Sequence, residues 1–210
     1  MFRPLLKELK SHAPFTLGGA TTGIALMLVL VLSGINMDGL KPFFHGFHAI
    51  HIFLSAIVTA SLFRRYNQNI MLCIVVGFTG AIGIATLSDI VFPHHGGQFL
   101  LRIAGEEHHQ HMHLAFIDKW WLMNPAALLG VGFALWRPTT KVPHSGHVLL
   151  STWASLFYLL VHGGTNINWL PLTPLVLAIL FVAVWVPCCL SDIVFPMLFV
   201  GAQAENPHDH

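Results

Sequence analysis

The sequence predicts an all-α polytopic membrane protein, with about six transmembrane helices arranged as two inverted three-helix repeats. Three observations carry that prediction. First, 55% of the 210 residues are hydrophobic and only 9% are charged, against roughly 25% charged in a soluble domain. Several apolar runs approach the length of about 20 residues that spans a bilayer. Second, Leu87-Ser88-Asp89-Ile90-Val91-Phe92-Pro93 returns letter for letter as Leu190-Ser191-Asp192-Ile193-Val194-Phe195-Pro196. Third, His51-Ile52-Phe53-Leu54-Ser55 is echoed by His147-Val148-Leu149-Leu150-Ser151, and His48 falls on His144 at the same offset (147 − 51 and 144 − 48 are both 96). The aspartate offset is 103 (192 − 89), as a loop of different length between the matched segments would give. Gly23-Ile24-Ala25-Leu26 and Gly132-Phe133-Ala134-Leu135 form a weaker match. The chain reads as two copies of one unit.

Each element follows from the pattern in order. Residues 1–14 are polar and basic and form an interfacial lead-in, followed by a retained first helix over 15–35. That run lacks a small-residue cleavage site, so it does not read as a signal peptide. Gly18, Gly19, Ala20 and Gly23 suit close helix packing there. A turn at 36–42 leads to a second helix over 43–63, which begins with His45, His48 and His51. After the polar loop 64–69, a glycine-rich third helix covers 70–92 and is expected to stop at Pro93. The first repeat is therefore 15–93. Residues 94–119 form a His-rich outer loop. The second repeat, 120–196, has helices over 120–136, 144–163 and 175–199, the first of them bracketed by Trp120-Trp121 and Trp136 as membrane-interface aromatics. Residues 197–210 are a C-terminal tail.

An odd number of helices per unit makes the second unit run opposite to the first, as in many transporters and channels. Arg3, Lys7, Lys10, Arg64, Arg65, Arg137 and Lys141 fall on one side, and Lys41, Arg102 and Lys119 on the other. The positive-inside rule then puts both termini in the cytoplasm and residues 93–119 outside. A net charge of +1 with neutral histidines gives no nucleic-acid footprint. The three cysteines, Cys73, Cys188 and Cys189, lie in apolar runs and imply no disulfide framework.

The chemistry is concentrated in histidine: 15 His against 10 Lys and Arg together. Residues three apart on a helix share a face, so His48/His51 and His144/His147 can each offer two nitrogens to one ion. Asp89 and Asp192 are ionisable groups in or at the edge of membrane helices, where they are costly and point to function. Helix-end punctuation is the plainer alternative, although a C-terminal acid opposes the helix dipole. An outer cluster of His45, His48, His51 and Asp89 and an inner cluster of His144, His147, Asp192 and Cys189 are expected. The thiol is a soft ligand there, or else a small buried hydrophobe. His94, His95, His108, His109, His111 and His113 read as a metal-capture loop or as a solvated surface. Ser55 and Ser151 follow each His pair by one turn, as pathway hydroxyls or packing residues.

His pairs at helix ends resemble in part the His boxes of membrane di-iron hydroxylases and desaturases. The boxes of that family are wider-spaced or carry an extra His and lie on the cytoplasmic side. Here both are His-x-x-His, one toward each side. No His-Glu-x-x-His motif and no phosphate loop are present, so an enzyme is not the leading expectation. The pattern predicts a transporter or channel for a divalent transition-metal cation, with Zn, Ni, Co, Fe and Cu not distinguished. The alternatives are a His-ligated membrane redox protein, with haem or a di-metal centre, and a structural subunit of a larger membrane complex. The expected partners are the lipid bilayer, the metal ion, and either a second copy or a larger membrane complex.

Overall fold

The computed structural model describes residues 2–106, 111–138, 141–163, 167–189 and 195–199. Most of these residues are helical, and none of them is in a strand. The helices are α1 (Phe2–Leu32), α2 (Lys41–Tyr66), α3 (Ile70–Thr86), α4 (Phe92–Ala104), α5 (Ala115–Asp118), α6 (Trp120–Trp136), α7 (Lys141–His162), α8 (Trp169–Cys189) and α9 (Phe195–Leu198). Among the described residues, four stretches are long and apolar enough to cross a membrane: Ala13–Leu32, Met37–Tyr66, Ile70–Ala104 and Trp169–Cys188. Trp120–Trp136 and Gly146–His162 are apolar but shorter. At 1.5 Å per residue each spans about 25 Å, less than a hydrocarbon core of about 30 Å.

Local signals set the helix ends. Gly34 takes a left-handed φ of 67° just after α1, the conformation glycine adopts most readily. Asn36 accepts from the Asp38 N–H at 3.0 Å and opens a short 3₁₀ turn that leads into α2. Arg64 and Arg65 lie in the last turn of α2, where cations complement the helix dipole. The Asn69 side chain then accepts from the Leu72 N–H at 3.1 Å and caps α3.

The largest departure from the sequence reading is at Pro93. The third helix does not stop there. Leu87–Val91 forms one π-helical turn, and the chain continues as α4 to Ala104, where Gly105 ends it at φ 79°. Proline breaks a helix because it lacks an N–H and clashes with the preceding turn. Here the ladder is already shifted: the Phe92 N–H bonds to the Leu87 carbonyl, five residues back. Pro93 therefore occupies the first turn of α4, where a missing N–H costs little. The Ser155 hydroxyl reaches the Ser88 carbonyl at 2.9 Å from α7. As a result His94 and His95 stand on a helix and not in a loop.

Helix α2 is the hub and packs on α3, α6 and α7, while α7 packs on α1, α2, α4 and α8. Small residues allow the close approaches. A Cβ on Gly130 of α6 would lie 2.4 Å from the Phe53 carbonyl oxygen and 2.7 Å from the Ala56 Cβ. A Cβ on Gly77 of α3 would meet Ala60 and Val131, both at 2.9 Å. Ile52, Ala56, Ala60 and Phe63 of α2 are fully buried beside Ala127 and Ala134 of α6. The core thus runs along the face of α2 next to its polar residues.

Candidate metal centre

His48 and His51 are one turn apart on α2, and Asp89 sits in the π turn between α3 and α4. All three are fully buried. A π turn carries one extra residue per turn and recurs at functional sites. Here it holds the carboxylate against α2. Asp89 Oδ2 lies 2.8 Å from His48 Nδ1 and 2.7 Å from His51 Nδ1. Asp89 Oδ1 accepts from the Ser88 hydroxyl at 2.7 Å and from the Ser151 hydroxyl of α7 at 2.6 Å. A buried carboxylate is tolerated only when hydrogen bonds replace its lost hydration. Asp89 has four.

The tautomers follow. A carboxylate oxygen can only accept, so His48 and His51 each donate from Nδ1, which leaves the lone pair on Nε2. Both Nε2 atoms are buried with no hydrogen-bond partner among the described residues. Two aromatic rings close the surroundings. Phe44 stacks on His48 with centroids 5.5 Å apart, and His147 of α7 stacks on His51 at 5.8 Å and 7°. The three groups can hold a metal ion: His48, His51 and Asp89 each offer one ligand atom, all within 4.8 Å of one another.

The other expected site residues divide into several sets. His45 is half-buried one turn before His48, with a buried Nδ1 that has no hydrogen-bond partner among the described residues. His147 is buried against His51. It therefore lies in the same cluster as His51, and not in a separate inner one, because the extensive contact between α2 and α7 brings the two faces together. His144 lies in the first turns of α7 and Cys189 is the last residue of α8. Asp192, His108 and His109 lie outside the described residues. His94 is half-buried, with Nδ1 3.4 Å from the Tyr158 hydroxyl, and His95 is exposed. His111 is exposed. His113 is also exposed, 3.6 Å from Asp118, with its ring 5.3 Å from that of His162.

Ser155, Tyr158 and His162 join the site without having stood out in the sequence. Ser155 bridges the Ser88 and Ser151 carbonyls at 2.9 and 2.8 Å. Tyr158 stacks on His162 with centroids 4.3 Å apart. Their signal is a periodicity: His147, Ser151, Ser155, Tyr158 and His162 recur at spacings of three and four in an apolar helix, which places them along one stripe.

Compared with known protein families, curated proteins and solved structures, the chain matches none.

Proposed function

We propose that the chain is a membrane transporter or channel for a divalent transition-metal cation, with the His48–His51–Asp89 centre on the ion's route. The observation that carries this reading is the convergence of three metal-ligating side chains, from two separate helices, at full burial between apolar spans. Ionisable groups at such depth are expensive and mark substrate or ion pathways. Imidazole and carboxylate bind first-row divalent ions well and still exchange them when geometry shifts. His51 and His147 meet ring on ring, which does not present two nitrogens to opposite faces of one macrocycle. A metal ion therefore suits the centre better than haem.

The inverted three-helix repeat belongs to the same proposal, and the packing supports it. Exchanging α1 with α6, α2 with α7, α3 with α8 and α4 with α9 turns packed pairs into packed pairs. The α1–α7 contact becomes α6–α2, α1–α8 becomes α6–α3, and α4–α8 becomes α9–α3. The residue register agrees. Gly19 packs on Leu149 and Thr152, and Gly130 packs on Phe53 and Ala56. Both pairs of targets differ by 96 (149 − 53 and 152 − 56), the offset of the His pairs. This pairs Gly19 with Gly130, a shift of two residues from the weak Gly23/Gly132 match. Under such a two-fold relation His51 meets its own counterpart, His147, as a parallel stack. In this reading the termini are cytoplasmic and the His-bearing connection after α4 gathers ions outside.

The test is metal uptake into proteoliposomes by the wild type, by His51→Ala and by Asp89→Asn, with Zn²⁺, Co²⁺ and Ni²⁺ each supplied outside. Uptake by the wild type that collapses in both folded variants supports the route. Equal uptake in all three proteins would reject it.

A further inference from the structure

Pro93 leaves one carbonyl of the π turn without a helical donor, and the chain supplies the donor from elsewhere. In a helix each carbonyl accepts an N–H four residues on, or five in a π turn. For Ser88 those donors are Phe92 and Pro93. The Phe92 N–H is committed to the Leu87 carbonyl, and proline has no N–H. Water is no substitute, because Ser88 is fully buried. A buried carbonyl left without a donor costs free energy. The Ser155 hydroxyl of α7 donates to it at 2.9 Å. Ser155 is itself fully buried, and its oxygen also lies 2.8 Å from the Ser151 carbonyl. Its single proton serves one of the two at a time. The α7 ladder already gives the Ser151 carbonyl the N–H four residues on, so the need is at Ser88. The pairing of a proline with a distant buried hydroxyl recurs. Pro196 repeats Pro93, and Thr59 stands 96 residues before Ser155 (155 − 59), the offset of the His pairs. Thr59 is fully buried on α2 beside the start of α9: a Cβ on Gly80 would meet the Phe195 ring at 2.7 Å and the Thr59 methyl at 3.1 Å.

We infer that Ser155 is a positioning residue: it takes the place of the N–H that Pro93 lacks, and so fixes the π turn that holds Asp89 against His48 and His51. Asp89 follows Ser88 directly in that turn, so a shift of the Ser88 peptide carries the Asp89 backbone with it. Relaxing the turn to α register would rotate α3 and α4 relative to one another by one residue, about 100°. The carboxylate at their junction would then lose its bonds of 2.8 and 2.7 Å to the two imidazoles. Ser151 and Ser155, one turn apart on α7, divide the work. Ser151 bonds the Asp89 carboxylate, and Ser155 bonds the backbone just before it. Ser155 acts only through the Ser88 carbonyl. Its effect on the Asp89 bonds stands by itself, whereas its effect on uptake rests on the proposed metal route.

The test is a double-mutant cycle in the full chain, purified in detergent and labelled with ¹⁵N in its imidazoles. Its members are the wild type, Ser155→Ala, Pro93→Ala and the double variant. Pro93→Ala restores an N–H five residues after Ser88, so it supplies the donor that Ser155→Ala removes. The readout is solvent exchange of the His48 and His51 Nδ1 protons, assigned with single His variants. Both are buried against Asp89 and exchange slowly in the wild type. Ser155→Ala speeds both by roughly 5–150-fold, the change that one stranded buried carbonyl produces in a local opening equilibrium. Pro93→Ala alone leaves them slow, and the double variant returns close to the wild-type rate. Zn²⁺ uptake into proteoliposomes falls in Ser155→Ala and recovers in the double variant. Two results overturn the inference: unchanged exchange in folded Ser155→Ala, or exchange in the double variant as fast as in Ser155→Ala. A packing role for the hydroxyl gives the second result, because an N–H at residue 93 cannot refill space at residue 155. If Ser155→Ala does not fold, the cycle is read by helical circular dichroism, where recovery of the fold in the double variant supports the inference and no recovery overturns it. Absence of Zn²⁺ uptake by the wild type, with the exchange pattern as expected, would overturn the transport reading and leave this inference standing.

Discussion

Replacing Asp89 with alanine and with asparagine separates two consequences of the same hydrogen-bond network. Alanine removes the acceptor for His48 Nδ1 and His51 Nδ1, both of which are buried away from water. Each stranded donor costs about 1–3 kcal/mol, so the pair costs about 2–6 kcal/mol. Losing the desolvated charge offsets part of this, and the net falls near the 3–5 kcal/mol typical of breaking a buried ion pair or its analogue. Ser88 is less affected, because its hydroxyl also has the Ala85 carbonyl at 3.3 Å. Asparagine is nearly the same shape. Its carbonyl oxygen can take the place of Oδ2 and accept from both histidines. Its NH₂ then faces the Ser88 and Ser151 hydroxyl oxygens, which can accept. The expected loss for Asp89→Asn is about 0–2 kcal/mol, because four neutral hydrogen bonds replace four charge-assisted ones while the cost of burying the charge is relieved. Unfolding midpoints in detergent, followed by helical circular dichroism, should rank wild type above Asp89→Asn and Asp89→Ala well below both. If alanine were tolerated as well as asparagine, the histidines would not depend on Asp89, and the tautomer assignment would fail with it.

Three further outcomes are expected. Gly130→Ala should destabilise by about 1–3 kcal/mol or more, since the new Cβ meets a backbone carbonyl that cannot rotate away; Gly19→Ala, whose nearest neighbour is the Thr152 hydroxyl at 3.0 Å, should cost less, and equal midpoints would contradict the packing. Changing His108, His109, His111 and His113 together to Ala should raise the external metal concentration needed for half-maximal uptake and leave the maximal rate alone; a fall in the maximal rate would make those residues part of the route. In a background lacking Cys73, Cys188 and Cys189, Ala104→Cys should react with an impermeant thiol reagent in intact cells, and labelling only after membrane disruption would reverse the orientation.

The apolar runs make the helices legible, because burying a hydrogen-bonded backbone in lipid leaves few other options. His48, His51 and Asp89 stand out for a similar reason: ionisable side chains in apolar surroundings are rare enough to attract notice one by one. What the sequence does not reveal lies in long-range contacts. Pro93 reads locally as a stop. The bond from Phe92 to Leu87 and the hydroxyl of Ser155, 62 residues past Pro93 in the chain (155 − 93), let the helix continue through it. The i, i+3 spacing of His144 and His147 fixes a face of α7 but not what that face meets. Only the α2–α7 contact puts His147 on His51. The polar stripe from Ser151 to His162 is readable as a periodicity, yet serine and tyrosine carry no charge to mark it.

The π turn at Leu87–Val91 also explains why the centre sits where it does. An ordinary α-helix ending in Pro93 would have placed Asp89 in a terminal turn, near headgroups and water. The π turn moves the proline into the start of a new helix, so that Asp89 lies near the middle of the continuous Ile70–Ala104 stretch. At that depth the carboxylate takes four donors: His48 and His51 of α2, the neighbouring Ser88, and Ser151 of α7. The same bonds close the site, since His48, His51, Asp89 and Ser151 expose essentially no surface. Reaching the imidazoles from outside therefore requires helices to separate.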